Sequence, residues 1–297
     1  MVLTGRIIKG IGGFYYVAAE DGKLYECKAR GLFRKEKMKP LVGDDCEIEI
    51  LDAGACLGNV EKVLPRRNTL TRPAVANADQ AIVIFAVSQP EPGYSLIDRY
   101  LVRMSYMDMP VILLFNKVDQ DRAKGEELQA VYEKAGYTVV LTSAKTGEGT
   151  DRVRELLAGK TSVFSGPSGV GKSSMLNHLY PEIQMETGAI SEKIGRGKHT
   201  TRHSELTAVG GGTYLCDTPG FSSVELPEQV DEATLELCFP EFLPHLGTCR
   251  FASCRHLSEP DCTVKQALEQ GEIGKTRYES YKAFQEILKD RRKNEWK

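Results

Sequence analysis

Gly166-Pro167-Ser168-Gly169-Val170-Gly171-Lys172-Ser173 fits the pattern G-x-x-x-x-G-K-[S/T]. In such a loop the glycines let backbone N–H groups turn inward around phosphate oxygens, backed by a helix N-terminus. The Lys172 ammonium would reach the β- and γ-phosphates of a nucleotide. The Ser173 hydroxyl would ligate Mg²⁺. A Gly-rich structural turn is the plain alternative, but it leaves a lysine at the first helical turn without a reason. Asp217-Thr218-Pro219-Gly220 begins 45 residues beyond Lys172. An aspartate there can hold the Mg²⁺ shell through water, and the Gly220 amide can contact a γ-phosphate and sense its loss. Taken alone, D-x-P-G is simply a good turn sequence.

A second group reads bases. Asn116-Lys117-Val118-Asp119 follows the apolar run Val111–Phe115. At such a strand end an aspartate accepts two hydrogen bonds from guanine N1–H and the exocyclic amine, a donor pair that adenine lacks. Asn116 would brace the loop and Lys117 would lie along the base plane. Ser143-Ala144-Lys145, after the next strand, offers a backbone amide to guanine O6. Each short motif is weak alone; N-K-x-D, S-A-K and the phosphate loop together are strong.

A third group binds metal. Cys249, Cys254, His256 and Cys262 fall within 14 residues, spaced C-x4-C-x-H-x5-C. Three thiolates and one imidazole suit a closed, tetrahedral zinc site with no vacancy for substrate, hence a single structural ion. Three free thiols beside a core histidine is the alternative. Gly247-Thr248 and Pro260-Asp261 supply bends around the ion. Cys27, Cys46, Cys56, Cys216 and Cys238 are scattered and read as ordinary small buried thiols.

These groups require elements to hold them. Thr4–Lys9, Phe14–Ala18, Lys23–Lys28 and Cys46–Leu51 read as short strands broken by Gly-containing turns, suiting a small barrel of about five strands. Their spacing does not separate an OB-fold from an SH3-like barrel. Beyond the Pro-punctuated stretch at 65–73, Ala81–Val87, Val111–Phe115, Thr138–Leu141 and Ser162–Phe164 read as parallel strands buried on both faces. Leu96–Met107, Gly125–Lys134 and Asp151–Leu157 read as the helices between them. This strand–helix alternation predicts an α/β sheet with ligands at the carboxyl ends of its strands. Thr161–Phe164 and Ser173–Leu179 place the phosphate loop between a strand and a helix. After Pro227 the pattern turns helical and irregular, closing with a charged helix over 274–292. The expected division is 1–66, 67–225 and 226–297.

Composition sets outer limits. The chain has 297 residues, 41% hydrophobic and 27% charged, which excludes global disorder and allows two or three domains. The net charge of −2 announces no overall nucleic-acid binder, so any such surface is local. No apolar run approaches bilayer length, and the N-terminus has no secretory pattern, so no membrane association and a cytoplasmic location are expected.

The nucleotide motifs resemble those of Ras-like P-loop GTPases in an altered order. The base-reading motifs precede the phosphate loop and Asp217–Gly220, as in a circular permutation, which close-lying termini permit. With a barrel in front and a Cys/His module behind, the chain resembles the RsgA family (YjeQ/YloQ) over essentially its whole length. The resemblance implies an OB-fold barrel, a zinc-binding tail, and a GTPase dependent on the 30S ribosomal subunit that acts late in that subunit's maturation. It places guanine contacts on Asn116, Lys117 and Asp119 and phosphate contacts on Gly166 to Ser174, with GTP and GDP as ligands.

Phe221 occupies the position where many GTPases carry a water-orienting Gln, and a phenyl ring cannot position water, so slow intrinsic turnover is expected. In the polar, Gly-flanked stretch 195–201, Thr200 or Thr201 would be the switch threonine. The resemblance suggests His199 in place of the Gln; a solvated or rRNA-contacting histidine is the alternative. Lys172, His199, Thr200, Thr201 and Asp217 form the expected catalytic set.

Basic clusters at Lys28, Arg30, Arg34, Lys35, Lys37 and Lys39, at Arg66, Arg67 and Arg72, and at Arg291-Arg292-Lys293 read either as solvated faces or as phosphate contacts. Phe14, Tyr15, Tyr16 and Phe33 would add stacking. The expected partners are the 30S subunit and its 16S rRNA, engaged by a monomer. Two rival readings remain: a P-loop ATPase or small-molecule kinase, and a zinc-stabilised RNA-binding protein with a vestigial nucleotide site.

Overall fold

The computed structural model describes residues 1–30, 33, 38–70, 74–182, 205–217 and 225–295. In chain order the strands are β1 (Val2–Ile11), β2 (Phe14–Ala19), β3 (Leu24–Ala29), β4 (Asp45–Asp52), β5 (Leu57–Val63), β6 (Thr69–Leu70), β7 (Val75–Ala76), β8 (Gln80–Ala86), β9 (Val111–Asn116), β10 (Thr138–Leu141), β11 (Thr161–Ser165), β12 (Leu206–Ala208) and β13 (Tyr214–Asp217). The helices are α1 (Tyr94–Tyr106), α2 (Arg122–Lys134), α3 (Thr150–Leu157), α4 (Lys172–Leu179), α5 (Thr263–Glu269) and α6 (Lys275–Glu295), with 3₁₀ turns at Leu235–Cys238 and Pro240–His245. The described residues form two compact units.

The first unit contains described residues of 1–80, 154–165 and 205–217. Its strands β1 to β5 close into a barrel ordered β1-β2-β3-β5-β4. Alternation drives closure: Leu3 and Ile7, Tyr25 and Cys27, and Cys46 and Ile48 point inward with Val17, Val60 and Val63 to form one core. Strands β3 and β5 pair in parallel while the other neighbours are antiparallel. That pairing is the OB arrangement and decides between the two barrels left open by strand spacing. The thiols of Cys27 and Cys46 lie in this core, where burial pushes them up to about 11 and about 12. They are inert packing groups, as the scattered cysteines suggested.

The barrel's first strand is tied to the rest of its unit. Arg6 forms a two-pronged pair with Asp45 at 2.8 and 3.0 Å, donates to Thr161 Oγ1 at 2.8 Å, and lies over the Tyr214 ring. Within this unit β11 and β13 run parallel, with Phe164 opposite Asp217, and β12 pairs antiparallel to β13.

The second unit contains described residues of 81–153, 166–182 and 225–295. Strand β9 is central between β8 and β10, all parallel. Both β8 and β9 are buried almost throughout, which explains their unbroken apolar runs. Helix α1 buries Ile97, Leu101 and Met104 at helical spacing, and Phe85 meets Tyr100 edge-on at 5.5 Å. Helix α2 begins where Asp121 accepts the Lys124 amide at 2.9 Å.

In the same unit, Val102 of α1 joins a core with Leu235, Phe239, Phe242, Val264, Tyr281, Phe284 and Leu288. At its heart Arg277 of α6 is fully buried. It donates to Asp98 of α1 at 2.5 Å and to Glu241 at 2.7 and 3.2 Å, with its guanidinium 4.5 Å from the Phe239 ring centroid. Among the described residues no helix is long and apolar enough to cross a membrane.

Candidate nucleotide site and metal centre

The expected strand–loop–helix order holds: β11 ends at Ser165, the glycine loop follows, and α4 begins at Lys172. Gly166 has φ +144°, and a Cβ there would lie 2.2 Å from the Ile84 carbonyl oxygen. Gly171 caps α4 at φ +94°, and a Cβ there would lie 2.5 Å from Asn116 Nδ2. Both positions therefore exclude any side chain, one through β8 and one through the base-reading loop. Lys172 Nζ curls back to donate to the carbonyls of Gly166 and Pro167, each at 2.8 Å, which holds the ammonium at the loop.

The base-reading tetrapeptide sits where β9 ends. Asn116 is buried; its amide nitrogen donates to the Val170 carbonyl at 2.8 Å and its oxygen accepts the Ala144 amide at 3.1 Å. Lys117, at φ +66°, donates from Nζ to the carbonyls of Gly169 at 2.8 Å and Gln89 at 2.6 Å. Val118 is buried beneath the loop. Asp119 accepts the Ser143 hydroxyl at 2.6 Å. Asn116 thus touches both the phosphate loop and Ser143-Ala144-Lys145, and the three motifs form one site. Asp119 is exposed. The amides of Ser143 and Ala144 bond to Glu148 O and Asn116 Oδ1 within the loops.

Asp217 ends β13, with its backbone in register opposite Phe164. His199, Thr200, Thr201, Gly220 and Phe221 lie outside the described residues, as do Arg34, Lys35, Lys37 and Arg72.

The Cys/His cluster converges. The ligand atoms of Cys249, Cys254, His256 and Cys262 all lie within 4.8 Å of one another. His256 Nδ1 is 3.6 Å from Cys249 Sγ and 3.3 Å from Cys262 Sγ, and the sulfurs of Cys249 and Cys262 are 4.0 Å apart. Tetrahedral zinc with Zn–S of about 2.3 Å and Zn–N of about 2.0 Å sets ligand–ligand separations of roughly 3.5–3.8 Å, so the set fits that ion. Without a metal, burial and the neighbouring sulfurs push the Cys254 thiol up to about 12. Left-handed backbone at His256, Gly247 and Asp261 provides the sharp bends. Sequence reasoning missed Glu236, whose Oε2 lies 3.0 Å from His256 Nε2, and Thr263, whose Oγ1 lies 3.2 Å from Cys249 Sγ. Glu236 is 20 positions from the histidine in an irregular stretch, and no motif signals it.

The basic clusters fare differently. Arg66 pairs with fully buried Asp44 at 2.6 Å, Arg67 pairs with Asp79, and Arg30 pairs with Glu49 and Glu61. Arg291 donates to the carbonyls of Leu226 and Pro227, Arg292 pairs with Glu232, and Lys293 with Asp290. Phe33 is buried in the barrel core and offers no stacking face, and partly exposed Tyr16 donates its hydroxyl to Glu26. Lys28 lies over the Phe14 ring, and Tyr15 is partly exposed.

A phosphate loop and a guanine-type base loop, stitched together but encoded in reverse order, define a circularly permuted P-loop GTPase. The chain belongs to the RsgA GTPase family: that family's model matches residues 63–227, and the model of the RsgA N-terminal domain matches residues 4–57. A small ribosomal subunit biogenesis GTPase RsgA from Agathobacter rectalis is 53% identical over 302 residues, covering 98% of this chain and all of that protein. The protein of the same name from Ruminiclostridium cellulolyticum is 46% identical, covering 96% of this chain and 94% of its own. The crystal structure of YjeQ from Thermotoga maritima superposes with a TM-score of 0.84 at 36% identity, over 97% of this chain and 99% of that one. That of YloQ, described as a circularly permuted GTPase, gives 0.81 at 36% identity, over 98% and 96%.

Proposed function

We propose that this chain hydrolyses GTP to GDP and phosphate in the cytoplasm while bound as a monomer to the 30S ribosomal subunit, and that hydrolysis times its release during late subunit maturation. The observation that carries the reading is the pair of bonds from Asn116 and Lys117 to the carbonyls of Val170 and Gly169. They tie the N-K-x-D loop to the phosphate loop, which supports one nucleotide spanning both. Asp119 takes guanine N1–H and the exocyclic amine, a backbone amide of 143–145 meets O6, and Gly166 to Ser174 wrap the phosphates. Ser173 would ligate Mg²⁺ directly and Asp217 would serve its shell through water, and the ion would offset negative charge on the phosphates. His199 orients the attacking water, and Thr200 or Thr201 closes on the γ-phosphate side with the Gly220 amide.

The barrel, 1–66, engages 16S rRNA through phosphate contact and stacking. The GTPase domain occupies 67–225, and residues 226–297 form a module stapled by one structural zinc ion on Cys249, Cys254, His256 and Cys262. The test is GTP turnover with and without purified 30S subunits. Acceleration by subunits, lost in Lys172→Ala, is expected. Turnover indifferent to subunits would remove the ribosomal assignment, and turnover unaffected by Lys172→Ala would remove the nucleotide one.

A further inference from the structure

We propose that Glu236 is a positioning residue of the metal centre: its carboxylate fixes the His256 ring so that Nδ1, and not Nε2, is the zinc ligand. The inference rests on the zinc reading above and adds a residue and an atom to it.

The His256 side chain is buried against the contacting pair of rings Phe242 and Tyr281, with centroids at 6.2 and 6.3 Å. Its two nitrogens face different chemistry. Nδ1 looks toward Cys262 Sγ at 3.3 Å and Cys249 Sγ at 3.6 Å, whereas Nε2 lies 3.0 Å from Glu236 Oε2. A neutral imidazole has one N–H and one lone pair, so the bond made by one nitrogen decides what the other does. An anionic carboxylate accepts only, which places the proton on Nε2 and leaves the Nδ1 lone pair aimed at the thiolates.

The backbone supports this pose. His256 adopts φ +58°, its carbonyl accepts the Tyr278 hydroxyl at 2.6 Å, and its amide donates to Cys254 Sγ at 3.4 Å. Glu236 is anchored too. It lies on the 3₁₀ turn Leu235–Cys238, whose Leu235 and Cys238 are buried in the core that contains Val102 of α1. The carboxylate therefore stands on a packed turn, and the ring orientation is inherited from the same core.

The full-length zinc-loaded protein tests this. Its histidine-ring NMR signals should show Nδ1 metallated and Nε2 carrying a slowly exchanging proton. Glu236→Ala should release zinc to a chromophoric chelator at least about tenfold faster, in line with the roughly 10–100-fold effects of removing such outer carboxylates. Glu236→Gln keeps an oxygen acceptor for Nε2–H and should stay within about threefold of the parent. An Nε2-metallated ring, or equal release from the parent and Glu236→Ala, overturns the proposal. The ring signature comes from the unaltered chain and stands even where Glu236→Ala misfolds. A parent protein that holds no zinc defeats the zinc reading and this proposal together, and the metal content measured first separates that outcome from the others.

Discussion

The side-chain nitrogen of Asn116 donates to the main-chain carbonyl of Val170 at 2.8 Å, across 54 positions of chain. It is a bond from a buried side chain to the backbone of the phosphate loop, so the curvature of that loop depends on a residue at the end of β9. The same amide group accepts from Ala144 at 3.1 Å. Reversing the order of the motifs in the chain leaves this arrangement intact because it is made across loops and not along the sequence.

Asp119→Asn exchanges an acceptor pair for one acceptor and one donor. The guanine amine then faces an N–H, while xanthine, with oxygen at that position, gains a partner. A hydrogen bond to a charged group contributes roughly 1.5–3 kcal/mol, so GTP affinity should fall on the order of 10- to 150-fold. Xanthosine triphosphate should bind better than to the parent. Competition binding against GTP, ATP and XTP measures this; strong ATP competition in the parent would favour the ATPase or kinase alternative.

Gly171→Ala and Gly169→Ala form a matched pair. Both glycines have positive φ, but a Cβ at 171 would stand 2.5 Å from Asn116 Nδ2, whereas one at 169 meets only Pro90 Cδ at 3.8 Å. The second should cost about 1–2 kcal/mol of backbone strain. The first must also displace Asn116, so its loss of GTP affinity should be clearly the larger. Equal losses would show that the Asn116 contact is unimportant.

His199→Ala should lower subunit-stimulated turnover at least about tenfold, and up to the roughly 100-fold or more typical of a positioned catalytic group, with GTP affinity nearly unchanged. Single-turnover kinetics with 30S subunits checks it. Unaltered turnover assigns the water to another group.

Arg277→Ala leaves Asp98 and Glu241 without their buried counter-charge, and breaking such an arrangement costs roughly 3–5 kcal/mol. Thermal melting of the zinc-loaded protein should shift strongly downward. Replacing Asp98, Glu241 and Arg277 together by apolar residues of similar volume should recover most of the loss, since desolvation of all three charges then disappears. No recovery would mean that the ion cluster fixes a geometry that apolar packing cannot reproduce.

Removal of zinc should expose the amides of 249–263 and the adjoining face of α6 to hydrogen exchange, because Cys254 and Cys262 belong to the core shared with Phe242 and Tyr281. GTP binding should persist, since neither motif loop draws a ligand atom from the cluster. Abolished GTP binding after chelation would contradict this separation.

Much of the site could be read from the sequence because its chemistry is carried by short motifs: the phosphate loop, N-K-x-D, S-A-K and the Cys₃His cluster. Strands β8 and β9 were legible because burial on both faces leaves uninterrupted apolar runs. Strand β5 was not, since Asn59, Glu61 and Lys62 face outward and mask its inward Val60 and Val63. Its parallel pairing with β3 is a long-range choice with no local signal. Charge was the hardest property to interpret. Arg30, Arg66, Arg67, Arg291 and Arg292 read as solvated faces or phosphate contacts in one dimension; each also meets a carboxylate or carbonyl, with Arg30, Arg67 and Arg292 keeping half or more of their side chains exposed. Arg277 falls within 274–292, a stretch that reads only as a charged helix, and it is fully buried.

That buried arginine has a consequence for how the protein comes into being. Asp98 leaves the ribosome 179 residues before Arg277 does, a wait of roughly 9–36 s at 5–20 residues per second. Throughout that interval the nascent α1 carries an acid whose counter-ion has not yet emerged. Half-made chains therefore cannot finish packing this half of the molecule, and its maturity is certified only by synthesis of the closing helix.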